Sequence, residues 1–245
     1  LDNSVPVVDL EAGPLPFSPD DDGVADTLRI EVDAPEDPAG YRSWTIEILD
    51  PRGNVFYTFQ GEGTPRSRLT WDGYSAEGEL VQAASEYTIQ GTFVDELRNS
   101  RTVRRNLPID VLVIREGDQL RIRISSITFA PNTAEYTGIS EEQDRQNLQT
   151  LDRLAEILRT FEEYRIRVEG HANNITGTRR EEVEELQPLS EARAESIRQA
   201  LMDRGIRGAR METVGMGGTE PVVPREDREN WWKNRRVEFI LIRNE

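Results

Sequence analysis

A chain of 245 residues with 46 acidic and 30 basic side chains, a formal charge of −16, is long enough for two ordinary domains. It is too acidic to offer the basic patches that nucleic acid or an anionic membrane surface requires. With no cysteine and a single histidine, disulfide frameworks, thiol chemistry and cysteine metal sites are excluded, and no apolar run approaches the ~20 residues of a membrane-spanning helix.

Residues 1–40 hold eleven acidic residues against one basic one, Arg29, and six prolines interrupt any helix. Residues 1–26 are therefore expected to form an extended acidic lead. Its Asp20-Asp21-Asp22 run invites a calcium loop, but with Gly23 at the sixth EF-hand position Arg29 falls at the twelfth, where a bidentate Glu is required. A solvated turn and a structural calcium remain the alternatives, the turn being favoured, and no metal site is assigned.

From residue 27 to 116 short alternating segments recur: Leu28–Val32, Trp44–Leu49, Asn54–Gln60, Ser67–Trp71, Tyr87–Val94 and Thr102–Val113. Turn signals at Pro51-Arg52-Gly53-Asn54, Asp72-Gly73 and Glu77-Gly78 separate them, and no long helical pattern intervenes. This spacing predicts an all-β sandwich. Trp44, Trp71 and Tyr87 are read as core aromatics, with an exposed glycan-stacking platform as the alternative. The charged turn Glu116-Gly117-Asp118 is the expected joint, followed by a second domain over 117–245.

In that second half Ser140-Glu141-Glu142-Gln143 is a capping box, and Leu148, Leu151, Leu154, Ala155, Leu158 and Phe161 follow at helical spacing. Ile127–Phe129, Arg165–Glu169, Met211–Val214 and Val237–Ile242 read as strands, and a second helix runs from Ser190 to Gly205, a natural helix-ending glycine. The order predicts an α+β domain, a mixed four-stranded sheet with helices on one face. Of the adjacent Trp231 and Trp232, one is expected in the core and the other against the sandwich or along a groove.

The stretch 170–193, GHANNITGTRREEVEELQPLSEAR, joins a strand to a helix through a long polar segment. Ser190 is the expected N-cap, and the free N–H groups after it, with Arg193 in the first turn, would favour a carboxylate. The bland reading pairs Arg193 with Glu169 or Glu195 and leaves the run Glu181, Glu182, Glu184 and Glu185 as a solvated loop face. Catalysis is not expected. His171 is the only histidine, read as hydrogen-bonded to backbone at the end of its strand, and no GxSxG element precedes a helix.

Ile127–Phe129, Gly170-His171, LSEARA (189–194), GMGG (215–218) and NRRVEF (234–239) together resemble the OmpA-like C-terminal domain, and Trp71-Asp72-Gly73 through Asp95 resembles a FlgD-type Ig-like repeat. The first resemblance implies a non-enzymatic, periplasmic and outer-membrane-associated protein that binds peptidoglycan without a cofactor. Its Ig-like module would contact other envelope proteins. It further implies that Asn173, Ser190, Arg193 and Arg235 bind the peptide stem. In that family an Asp and the LSxxRA Arg hold the ammonium and carboxylate of diaminopimelate. Here Asn173 stands at the Asp position and the following loop is several residues longer, so weak binding is expected. The alternative is a degenerate domain serving as a protein-interaction scaffold.

Overall fold

The computed structural model describes residues 5–243, which divide into two compact units on either side of Asp110 and Val111. The first unit has two antiparallel sheets. One is ordered β1 (Asp9–Gly13), β2 (Leu28–Asp33), β5 (Arg68–Trp71); the other β4 (Val55–Glu62), β3 (Tyr41–Leu49), β6 (Glu86–Asp95), β7 (Ser100–Pro108). Alternation places Leu28, Ile30 and Val32 inward from β2, and Trp44, Ile46 and Ile48 inward from β3. The two inner faces meet, for a Cβ added to Gly91 on β6 would fall 2.8 Å from Leu10 Cδ1 on β1.

Trp71 is core, 3% exposed, with ring centroids 5.7 Å from Phe17 and 6.1 Å from Phe56, and its indole N–H donates to Tyr74 O at 2.8 Å. The acidic lead differs from expectation. It carries β1 and buries Leu10 and Phe17, whose backbone exchanges hydrogen bonds of 2.9 Å with Pro108 and Asp110. Prolines end a strand without preventing its neighbours from pairing, and two large apolar side chains need covering. In the Asp20–Asp26 turn the carboxylates serve backbone donors: Asp26 accepts from Asp21 and Gly23 at 2.8 and 2.7 Å, and Asp22 from Val24 at 2.7 Å.

The second unit has five strands where four were expected, in the order β11 (Met211–Gly217), β10 (Tyr164–His171), β12 (Val237–Arg243), β9 (Gln119–Ile124), β8 (Ile114–Glu116). Only the β10–β11 pair is parallel. The extra strand arises because Glu116-Gly117-Asp118, read as a joint, is the turn of a β8–β9 hairpin, with Gly117 at φ +61° and Glu116 opposite Gln119. Conversely, Ile127–Phe129 is not a strand. Ile127 is buried, but Thr128 is held by the wholly buried Asn147, which accepts from its N–H at 2.9 Å and donates to its carbonyl at 2.7 Å.

Helix α1 (Glu141–Thr160) starts as expected, with Ser140 Oγ accepting from Gln143 N at 3.2 Å. Its buried stripe is Asn147, Leu151, Leu154, Ala155 and Leu158, while Leu148 is 39% exposed. Helix α3 (Gln187–Met202) buries Ala194, Ile197, Ala200 and Leu201 and ends at Gly205 (φ +87°). There the N–H groups of Gly205 and Ile206 reach back to Met202 and Leu201 at 2.9 and 3.0 Å. This helix lies directly on β10 and β11: a Cβ at Gly170 would fall 2.0 Å from Ser190 O, and one at Gly215 2.7 Å from Glu191 N. Across the sheet, Val168, Phe239 and Ile122 form one buried apolar row and Glu169, Glu238 and Arg123 the adjacent row on the opposite face.

Candidate functional site

The segment after His171 is more ordered than a loop. Thr178 caps a short helix α2 (Arg179–Glu181), accepting from Glu181 N at 3.2 Å, and the chain continues through a π-helical turn, Glu182–Leu186, into α3. Ser190 is therefore not an N-cap but lies inside α3, fully buried. Its hydroxyl donates to Gln187 O at 2.9 Å and accepts from Gly217 N at 2.8 Å, which ties the helix to the end of β11. Both hydroxyl bonds are internal to the fold, so the N-cap reading is corrected: Ser190 lies inside the helix and not at its first open N–H groups.

The acidic run is only partly a solvated face. Glu181 accepts from the N–H groups of Ile175 and Thr176 at 3.3 and 2.8 Å; Glu182 accepts from Gly218 N at 2.8 Å and from Asn174 Nδ2 at 3.0 Å. Two glutamates thus staple residues 174–178 and the Gly217-Gly218 turn to the inserted helix. Glu184 stays on the surface in an exposed pair with Arg180 at 2.9 Å.

Arg193 is half-buried, its Nε donating to Thr133 O at 2.9 Å and its guanidinium lying 4.8 Å from the centroid of Phe129. Burial, and then the neighbouring charge of Arg235, push its basicity below the ordinary guanidinium value. Among the described residues no carboxylate pairs with it. Glu169 is taken by Arg167 at 2.7 Å and Glu195 by Arg198 at 2.9 Å. Two cations thus act on one another here, on a chain whose net charge is −16.

Asn173 is held by Asn234, the residue before Arg235. Its Oδ1 accepts from Asn234 Nδ2 at 2.8 Å, and Asn234 is in turn fixed by accepting from Val222 N and Val223 N at 2.8 and 3.0 Å. Arg235, the next residue, is exposed. The structure ties Asn173 to Asn234, the residue before Arg235, sets Arg193 within the influence of the Arg235 charge, and commits the Ser190 hydroxyl to Gln187 and Gly217. Sequence reasoning gave no site role to Asn234, Thr133 or Phe129; Asn234 and Phe129 stood within motifs already singled out, NRRVEF and Ile127–Phe129, and Thr133 stood in none. It also missed Thr178, although Thr178-Arg179-Arg180-Glu181 has capping-box spacing.

Arg236, next to the exposed Arg235, is buried and pairs with Glu238 at 2.5 Å. Burial alone would raise the Glu238 carboxyl, yet Arg236, Arg121 and Arg123 hold it down to about 2. His171 is buried at the end of β10, and its ring differs from expectation in making no hydrogen bond to backbone among the described residues; its Nε2 lies 3.6 Å from Glu169 Oε2. Glu169, His171 and Glu238 have ligand atoms within 4.8 Å of one another. Four guanidiniums, however, already neutralise these carboxylates, which disfavours a cation.

The OmpA family profile matches residues 128–235, within the second unit. The peptidoglycan-associated lipoprotein of Rhizobium meliloti is 32% identical over 141 residues, covering 56% of this chain and 77% of that protein. The peptidoglycan-binding protein ArfA of Mycobacterium tuberculosis is 33% identical over 91 residues, 37% of this chain and 26% of its own length. Among solved structures, the cell wall anchor of the T6SS from Pseudomonas aeruginosa is 26% identical and covers 55% of this chain and 88% of that one at a TM-score of 0.44. The profile spans Asn173, Arg193 and Arg235, and on this match together with that to the lipoprotein the chain belongs to the OmpA family.

Proposed function

We propose that the second unit tethers this protein to peptidoglycan in the periplasm, in association with the outer membrane, as a non-enzymatic anchor. The observation that carries the reading is Arg193, half-buried, set against Arg235 and without a carboxylate partner among the described residues. A guanidinium so placed gains most from a ligand carboxylate, which it can grip bidentately. The relatives named for peptidoglycan association and binding support the same ligand. Asn173 and Arg235 complete the contact, and Ser190 supports it by locking α3 to Gly217. Because Asn173 lacks the charge of an acid, attraction for a stem ammonium is weak.

The first unit, in this reading, is an Ig-like module of FlgD type that meets other envelope proteins; its two facing antiparallel sheets support this. A second reading, an OmpA-like domain serving only as a protein scaffold, draws its support from Asn173 and from the inserted α2 and π turn. Pull-down with purified sacculi separates the two. The anchor reading expects retention of the wild-type chain and loss of retention in Arg193→Ala. Equal retention of both, or of neither, supports the scaffold.

A further inference from the structure

Arg193 is held from a distant part of the chain. Its Nε donates to Thr133 O at 2.9 Å and its guanidinium lies 4.8 Å from the centroid of Phe129. Both contacts come from one segment, residues 128–136, which is neither helix nor strand. The segment folds back on itself, Ala130 N donating to Glu135 O at 2.8 Å and Thr133 N to Ala130 O at 3.2 Å, and its two ends are held by a single side chain. Asn147, wholly buried on α1, accepts from Thr128 N at 2.9 Å and donates to Thr128 O and to Tyr136 O, both at 2.7 Å. A backbone N–H can only donate and a carbonyl can only accept, so the orientation of this amide is fixed, and both of its hydrogens are spent, one on each end of the segment.

We infer that Asn147 is a positioning residue for Arg193: by clamping both ends of residues 128–136 it fixes Thr133 O and Phe129, and these two set the plane and the reach of the guanidinium. The inference rests on the peptidoglycan reading above and deepens it. With Nε committed to Thr133 O, the side of the guanidinium that Nε shares with one Nη is closed to a ligand, and a carboxylate is gripped by Nη1 and Nη2 at the end of the fork. A guanidinium already oriented loses less freedom on binding than one that swings in solvent, so Asn147 adds affinity without touching the ligand. Neither an aspartate nor an aliphatic side chain of that size can accept from one backbone N–H and donate to two carbonyls.

The test compares the full chain with Asn147→Ala, Arg193→Ala and the double variant, by titration calorimetry with a diaminopimelate-containing stem tripeptide and by NMR hydrogen exchange at the Arg193 Nε–H. Asn147→Ala is expected to weaken binding about fivefold and to speed exchange at Nε–H about tenfold. Added to Arg193→Ala it is expected to change affinity less than about twofold, because the group it positions is already gone. Leu154→Ala, which empties the core under the same helix, separates positioning from lost stability: it is expected to lower the melting temperature and to leave both readouts at their wild-type values. Should Asn147→Ala not fold, Asn147→Ser, whose hydroxyl can serve only part of the clamp, takes its place. Unchanged exchange at Nε–H in the Asn147 variant overturns the inference whether or not the tripeptide binds, as do additive losses in the double variant or an equal loss of both readouts in Leu154→Ala. If the wild type binds no tripeptide, the peptidoglycan reading falls, and the clamp on Arg193 stands or falls on exchange alone.

Discussion

Buried polar side chains serve different ends in the two units. In the first, the buried carboxylates sit at hairpin turns: Asp50 accepts from the N–H groups of Arg52 and Asn54 at 2.8 and 2.9 Å, and Asp95 from that of Asn99 at 2.7 Å. Each is satisfied by its own loop. In the second, Glu238 is bound by Arg121 and Arg123 from another strand, Asn147 reaches back to Thr128, and Asn234 binds Asn173 across sixty-one positions of sequence. Local capping builds a turn and adds no recognition surface. Polar groups joined over long separations hold a constellation rigid, which a binding site needs.

The sharpest way to break this comparison is to empty the apolar interior of the first unit. Trp71→Ala is expected to destabilise that unit by ~3–5 kcal/mol, read as a lowered first transition in thermal denaturation. An unchanged transition would mean that the two aromatic-lined sheets are not what holds the unit together, and glycan binding lost in its place would favour an exposed platform.

Next in size is the buried ion cluster of the second unit. Glu238 has its folded value near 2 against an ordinary 4.5 and is 1% exposed. A carboxyl lowered on folding stabilises the folded form above its unfolded value, and that contribution is lost as pH falls from about 4.5 towards 2. By linkage it is on the order of 3 kcal/mol. Acid titration of the second unit's stability should therefore be steep in that window, and Glu238→Gln should flatten it while lowering stability at neutral pH, since Arg236 is left without its charge partner. A variant that unfolds along the wild-type acid curve would remove Glu238 from the account.

How much of this could be read from sequence follows the same division. Period-2 alternation placed the strands of the first unit, because each inner face is apolar and each turn carries its own Gly or Asp. Ser140 was legible as a cap because its partner, Gln143, is three residues away. Ile127–Phe129 was misread as a strand because the pattern is alternating, whereas the deciding partner is Asn147 on a helix. Ser190 was misread as a cap because the helical run already begins at Arg179, behind an N-cap, Thr178, hidden in a polar stretch. Arg193 was legible by motif and position. The direction in which Asn173 presents its amide was not, since it depends on Asn234 and on two backbone groups that only the fold assembles.

The smallest expected effect bears most directly on the central claim, that Arg193 is a carboxylate receptor and not a packing residue. Titration calorimetry of a carboxylate-bearing muropeptide against the wild type and Arg193→Ala, each at low and high salt, reads it. The account predicts about tenfold weaker binding for Arg193→Ala, wild-type affinity that falls as salt rises, and a much flatter salt dependence in the variant. Equal affinity in the two proteins, with the same salt dependence, would contradict it.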